Sequence, residues 1–410
     1  MDLRSSAVGV VATAAAAAVC TAIVWAATLG NSSIVDEAGH HAQITMFQRG
    51  DYALYRLPGH EHPVNAMLPG FHAAVAAIAA AAHAESRPAI RAICLVWSLC
   101  LAAFVWGIAR RGSDDRHAML RTIQALFLPN LFPFHVLIYT DVLAASACMA
   151  AVLFCLQDRP WATAAAALAA AVVRQTNGLL VLFLLAFTAT RERIRPGGSF
   201  QSWVRRWWPV AVGMVPLATV MAMFGRVGLD DPIKHPLRLA ANNLEWSLLE
   251  CGVFFLPWHA WVYCTRWRRI RPWMVAGAAA LAGAILWQSR EIHPWNDVYE
   301  FPYLLRNHLI AWTDALWWRK GAAALGIVGV LVALAIAPLR ERGAGWLFGL
   351  WAAMLLPQWN VDPRYHILPL LLFTVLRQPG PLWVEGATAL GMIALGFAAF
   401  GSIWWLHGII

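Results

Sequence analysis

Residues 89–109 read AIRAICLVWSLCLAAFVWGIA, and Arg110 and Arg111 follow at once. A helix needs about 20 mostly apolar residues to cross the hydrocarbon core of a bilayer. This stretch has that length, with positive charge at one end. Comparable apolar stretches recur at roughly 7–29, 119–138, 142–157, 160–174, 178–190, 207–225, 245–264, 273–288, 321–338, 345–357, 364–376 and 383–406. The first is too long for a signal-peptide core and no convincing small-residue cleavage site follows it, so it reads as a retained helix. The chain is 60% hydrophobic and only 13% charged, whereas soluble domains are about half apolar and about a quarter charged. The fold expected is an all-α integral membrane protein of about 13 transmembrane helices, a single membrane-embedded domain over 1–410.

Charge orients the bundle. Arg110, Arg111, Arg116 and Arg121 form one cluster, Arg191, Arg193, Arg195, Arg205 and Arg206 a second, Arg266, Arg268, Arg269 and Arg271 a third, and Arg340 and Arg342 a fourth. Counted from a cytoplasmic N-terminus, every cluster falls on the cytoplasmic side. The net charge of +9 is thereby accounted for by the positive-inside bias, and nucleic acid is not expected as a partner. The opposite face receives a long first non-cytoplasmic loop, about 31–88, and the connections rich in acidic residues, histidine and proline. Within that loop, 67–83 is apolar and alanine-rich. Taken as a span it would break the charge pattern, so it reads as an interfacial or re-entrant helix. The seven cysteines lie in or beside apolar spans without metal-ligand spacing and read as small core residues. Most of the 23 tryptophans fit an aromatic belt.

Five groups on the non-cytoplasmic face can carry chemistry. Asp36 and Glu37 follow the first span, and a helix over 34–48 places Asp36, His40 and Gln43 on one face. A carboxylate beside imidazoles suits a general base, and an acidic pair also suits a solvated helix start. Arg174, Gln175, Thr176 and Asn177 interrupt an apolar segment, where an ionisable group is costly and usually functional. Arginine there suits bidentate binding of a phosphate. Asp362, Arg364, Tyr365 and His366 open another span, and Asp141 lies between two more. Lys234, His235 and Arg238 add positive charge to a mid-chain loop. Each of these reads equally well as an interfacial anchor. Their shared face suits a substrate anionic at one end and hydroxylated at the other. Glu250, inside a span, is a candidate partner for one of the cations.

Several of these motifs, in order, resemble one family: the DIE2-type membrane glucosyltransferases that add the terminal α-1,2-linked glucose to the lipid-linked oligosaccharide of asparagine-linked glycosylation. Its Asp-Glu-x-Phe-His-x-x-Gln signature appears as Asp36-Glu37-Ala38-Gly39-His40-His41-Ala42-Gln43, with Gly39 in place of Phe. Pro69-Gly70-Phe71, the Phe-rich run ending in Tyr139-Thr140-Asp141, Arg174-Gln175-Thr176-Asn177 and Arg364-Tyr365 through Pro369 match in turn. The Trp-Asp-Pro-x-Ile-Thr-Thr-Pro stretch is replaced by Glu61-His62-Pro63-Val64-Asn65-Ala66-Met67-Leu68, which puts the identity of the acceptor in question.

The resemblance implies a polytopic GT-C-type glycosyltransferase fold and a polyprenyl- or dolichyl-phosphate sugar donor. It implies transfer of a hexose, glucose first, with inversion to a hydroxyl of a glycan or lipid-linked oligosaccharide acceptor. Asp36 is then the catalytic base, with Glu37 second. Arg174 and Arg364, with Lys234 or His235, would stabilise the leaving phosphate, while His40, Gln175, Asn177 and Asp141 would orient sugar hydroxyls or the base. Gln43, Tyr365 and His366 complete the substrate-binding set. No cofactor is implied, and a divalent metal beside Asp36 and His40 stays open without a complete ligand set. The Ala- and Arg-rich composition points to a bacterial inner membrane with the active face periplasmic, the endoplasmic reticulum membrane being the eukaryotic counterpart. Two alternatives stay open: a transporter or flippase of a lipid-linked sugar, and a GT-C transferase of mannose or arabinose.

Overall fold

The computed structural model describes residues 36–194, 198–229, 238–289, 293–300 and 305–405, with a few positions between 16 and 24. Most of the expected first helix, and Lys234 and His235, lie outside the described residues. Apart from an isolated bridge between Leu339 and Arg377, every regular element among the described residues is helical. Contacts divide the chain into two compact units, one of Met1–Leu126, Pro133–His235 and Arg342–Trp346, the other of Phe127–Phe132, Pro236–Glu341 and Leu347–Ile410.

The first unit contains α1 (Glu37–Gln48), α2 (Gly70–Ala81), α3 (Arg87–Arg110), α4 (Asp115–Leu126), α5 (Thr140–Leu156), α6 (Pro160–Val173), α7 (Leu180–Ile194), α8 (Phe200–Trp207) and α9 (Val215–Phe224). The long first loop is therefore partly helical. Helix α2, at 12 residues, is too short to cross a bilayer. The apolar stretch expected over 119–138 is not one span: α4 ends at Leu126, Pro129 follows, and Pro133 lies within a 3-10 turn over Phe132–His135. Proline has no N–H to donate and clashes with the preceding turn, so a helix stops there.

Alanine sets the packing of α5 against α6 and α3. Small side chains let helix backbones approach closely, and membrane interfaces use them for that reason. Gly107 faces Leu153 across the α3–α5 contact, and Gly213 faces Val181 and Ala167. Gly70, the first residue of α2, is tighter still. A Cβ there would fall 2.6 Å from the Val172 carbonyl oxygen and collide with the Val172 side chain. The Pro-Gly-aromatic motif thus marks where α2 is pressed onto α6.

The second unit contains α10 (Asn242–Phe254), α11 (Leu256–Arg266), α12 (Pro272–Gln288), α13 (Leu305–Asp314), α14 (Trp317–Ile336), α15 (Trp346–Leu355), α16 (Ile367–Leu376) and α17 (Leu382–Trp405). The stretch expected as one span over 245–264 breaks at Phe255, because Pro257 begins a new helix. Arg377 and Glu385 form a fully buried bidentate pair, both bonds at 2.7 Å. The Gly380 N–H donates to Glu385 at 2.8 Å, and the guanidinium lies over Trp258 and Phe255. Helices α10, α12, α14 and α15 line an open apolar pocket of about 450 Å³, with residues such as Leu248, Ile285, Leu334 and Phe348 on its walls.

Four helical stretches are long and apolar enough to cross a membrane: Arg87–Arg110, Phe200–Phe224, Trp317–Ile336 and Leu382–Ser402. Others, such as Thr140–Leu156 and Pro272–Gln288, are apolar but shorter.

Replacing Gly70 by Ala is expected to destabilise the protein by about 1–3 kcal/mol, since a backbone carbonyl cannot yield as a side-chain tip can. Thermal unfolding of detergent-purified protein reads this, and an unchanged midpoint would mean that α2 is free to move off α6.

Candidate active site

The two adjacent carboxylates at the start of α1 have different fates. Glu37 is fully buried and accepts two bonds from Arg91, from Nε at 2.7 Å and from Nη2 at 2.6 Å. The Ile138 N–H donates to the same carboxylate at 3.2 Å. Arg91 is itself only 1% exposed and projects from the apolar stretch of α3. A dry charge needs a partner with good geometry and further hydrogen bonds, and Glu37 has both. It ties α1 to α3 and to the segment leading into α5.

Asp36 stands at the N-cap of α1, half-buried, yet its carboxylate makes no capping bond to the helix. Its N–H donates to the Tyr139 hydroxyl at 3.1 Å. Tyr139 also meets the ring of His40 edge-on, with centroids 5.0 Å apart. His40 is buried and shares a 2.8 Å hydrogen bond with His72 of α2, between Nδ1 and Nε2, the rings nearly parallel. Burial, and then the neighbouring His40, lowers the His72 pKa well below its ordinary value. His41, on the more open side of α1, is lowered by burial and by Arg87.

Two glutamines work as clamps on backbone. Gln43 donates to the Ala53 carbonyl at 2.8 Å and accepts from the Tyr55 N–H at 2.6 Å. Gln175 donates to the carbonyls of Ala66 and Val227 and accepts from the Leu68 N–H, at 2.9, 2.6 and 3.0 Å. Both amides are buried. Arg174, between α6 and the 3-10 turn Gln175–Leu179, is 5% exposed and paired with Asp141 in the first turn of α5. Asn177 is buried and lies near the Ala170 carbonyl at 3.4 Å. In this unit the structure therefore gathers Asp36 and His40 around Tyr139, Glu37 with Arg91, and Asp141 with Arg174.

Arg364, Tyr365 and His366 belong to the second unit. Asp362 accepts from the Arg364 side chain at 2.6–3.1 Å, with Arg306 3.8 Å away. Burial alone would raise this carboxyl, but Arg364 and Arg306 hold it well below the usual carboxylate range. His366 lies between Glu250 at 2.7 Å and the Asn243 side-chain oxygen Oδ1 at 3.1 Å. Asn130 donates to Glu250 at 2.7 Å, so Glu250 is bound to His366 rather than to an arginine of this turn. The Tyr365 N–H donates to the Asp362 carbonyl at 2.9 Å. Arg238 lies 4.2 Å over the ring of Trp359.

Sequence reasoning passed over Arg91, His72 and Asn243. Arg91 was open to the argument that singled out Arg174, an arginine within an apolar stretch. His72 gives no such signal, since a histidine in an alanine-rich helix is unremarkable until its partner is known. Among the described residues, no three His, Cys, Asp or Glu side chains come together as a metal-ligand set.

The profile of the DIE2/ALG10 family matches residues 30–203. The matched stretch contains Asp36, Glu37, His40, Gln43, Asp141, Arg174, Gln175 and Asn177, and the chain resembles that family over it. The match does not reach Arg364, Tyr365 or His366. No curated protein and no solved structure matches the chain.

Arg91→Met leaves Glu37 charged, buried and unpaired, a loss of about 3–5 kcal/mol. The double variant Glu37→Leu, Arg91→Met is expected to recover much of that in a thermal melt; equal melting of single and double variants would contradict the pairing. For His72 the folded pKa is lowered, so below about pH 6.5 the unfolded chain takes up a proton that the folded one refuses. Stability is therefore lost as pH falls from 7 toward about 5, and His72→Phe should flatten that slope.

Proposed function

We propose that this protein is an integral membrane glycosyltransferase. It moves a hexose, glucose first, from a polyprenyl- or dolichyl-phosphate donor to a hydroxyl of a glycan or lipid-linked oligosaccharide, inverting the anomeric centre. The observation that carries this reading is the division of labour between adjacent carboxylates. Glu37 is sealed inside the protein against Arg91, while Asp36 is only half-buried. A general base must reach a substrate hydroxyl. Only Asp36 of the two is disposed to do so.

The acceptor oxygen attacks the sugar C1 as Asp36 takes its proton, and the C1–O bond breaks with its electrons passing to the lipid phosphate. Arg174, oriented by Asp141, is assigned to the charge that develops on that phosphate, where preorganised donors act most strongly. His40, fixed by His72 and Tyr139, is assigned to a sugar hydroxyl. Gln175 and Gln43 shape the site by fixing its loops. The family match supports the reaction class, and the long apolar helices support a bilayer setting. With the arginine clusters cytoplasmic, the active face is periplasmic in a bacterial inner membrane, and the full bundle has about 13 spans.

Purified protein offered polyprenyl-phosphate glucose, polyprenyl-phosphate mannose and UDP-glucose, with a host lipid extract as acceptor, tests the reading. Transfer is expected from a lipid-phosphate donor alone, and Asp36→Asn should lower it by about 10²–10⁴-fold with an unchanged melting midpoint. Full activity in Asp36→Asn would move the base elsewhere. Transfer from UDP-glucose alone would reject the donor class.

A further inference from the structure

Against α1, at the turn that follows Asp36, lies a hydrogen-bond donor that is buried without a partner among the described residues. Asn65 is 8% exposed, its Nδ2 is buried, and no group among the described residues accepts from it. A buried donor left unpaired costs the full desolvation of the group, and native structures retain few of them. Its backbone is fixed on both sides. The Val64 N–H donates to the Tyr55 carbonyl at 3.0 Å, and the Ala66 carbonyl accepts from the Leu229 N–H and from Gln175. The Gln175 clamp and the Gln43 clamp, which holds Tyr55, therefore meet at this one residue.

What Asn65 lies against is Gly39. A Cβ on Gly39 would fall 3.6 Å from the Asn65 side-chain oxygen Oδ1 and 2.8 Å from Val64 Cγ1. Gly39 follows Asp36 by three positions, one turn along α1, and residues at that spacing share a helix face. A side chain on Gly39 would displace Val64, so the glycine is what lets the 64–65 segment lie against the first turn of α1. The same two places are where the chain departs from the resembled signatures, Gly39 standing for Phe and Asn65 lying in the altered 61–68 segment.

We propose that Asn65 is an acceptor-binding residue. Its Nδ2 donates to a hydroxyl oxygen of the acceptor sugar, next to the hydroxyl whose proton Asp36 removes, and makes the site selective for a polar, hydroxyl-bearing acceptor. The inference rests on the glycosyl-transfer reading. The reaction is the one described above, with Asn65 neither gaining nor losing a proton.

The test separates acceptor from donor. Wild type and Asn65→Leu are given radiolabelled polyprenyl-phosphate glucose, either in water alone, where hydrolysis to free glucose reads the donor half of the site, or with a series of octyl glycosides. Asn65→Leu is expected to raise KM for the best octyl glycoside and to lower kcat/KM for transfer by roughly tenfold or more, as when a site loses a group built to bond a substrate hydroxyl. Hydrolysis should stay within about twofold and the melting midpoint should hold or rise, because an unsatisfied buried donor has been removed. Parallel loss of hydrolysis and transfer, or a lowered midpoint, would assign Asn65 a structural role and overturn the inference alone. Hydrolysis by wild type with no transfer to any octyl glycoside would also overturn it. Neither hydrolysis nor transfer by wild type, from this donor or its mannose counterpart, would remove the glycosyl-transfer reading and the inference with it.

Discussion

The pair between Glu37 and Arg91 is the constraint on which the rest of the candidate site depends. An arginine in the apolar stretch of α3 has to be neutralised where it stands, and Glu37 does this with both carboxylate oxygens. Because α1 is thereby fixed against α3, its first turn has one orientation. Asp36 is brought to Tyr139 and His40 to His72 as consequences. The Ile138 N–H, bonded to the same carboxylate, carries the register into α5 and so to Asp141 and Arg174. A buried ion pair adds little net stability compared with an apolar replacement. What it supplies is position, and position is what a base beside a reacting hydroxyl needs.

A second layer of the design fixes irregular backbone with amides. Loops between helices have backbone groups that must find partners. Gln43 and Gln175 each satisfy both a carbonyl and an N–H of such segments. The Arg-Gln-Thr-Asn motif can be read in this light. Arg174 is bound to a carboxylate, and Gln175 shapes the loop that carries Asn65.

Much of this was legible in the sequence, unevenly. The apolar stretches announced a helical membrane protein, and proline explains where stretches expected as single spans divide, at Pro129, Pro133 and Pro257. The motif residues Asp36, Glu37, His40, Asp141 and Arg174 were visible as polar groups in an apolar setting. Their partnerships were not. Nothing local distinguishes Asp36 from Glu37; Arg91, 54 positions away, does. Gln43 and Gln175 looked like substrate ligands because an amide's type does not tell whether it will face a sugar or a backbone. Gly39 and Asn65 appeared only as departures from a pattern, and their meaning lies in a contact between two segments.

The most direct measurement of the central claim, that a single carboxylate acts as base in a direct displacement, is the stereochemistry of transfer. Polyprenyl-phosphate glucose of β configuration would be supplied to the wild-type protein and the anomeric proton of the new linkage read by NMR. The account predicts an α-linked product, formed in one step with inversion. A β-linked product would mean two displacements through a glycosyl-enzyme intermediate, and would contradict the role given to Asp36.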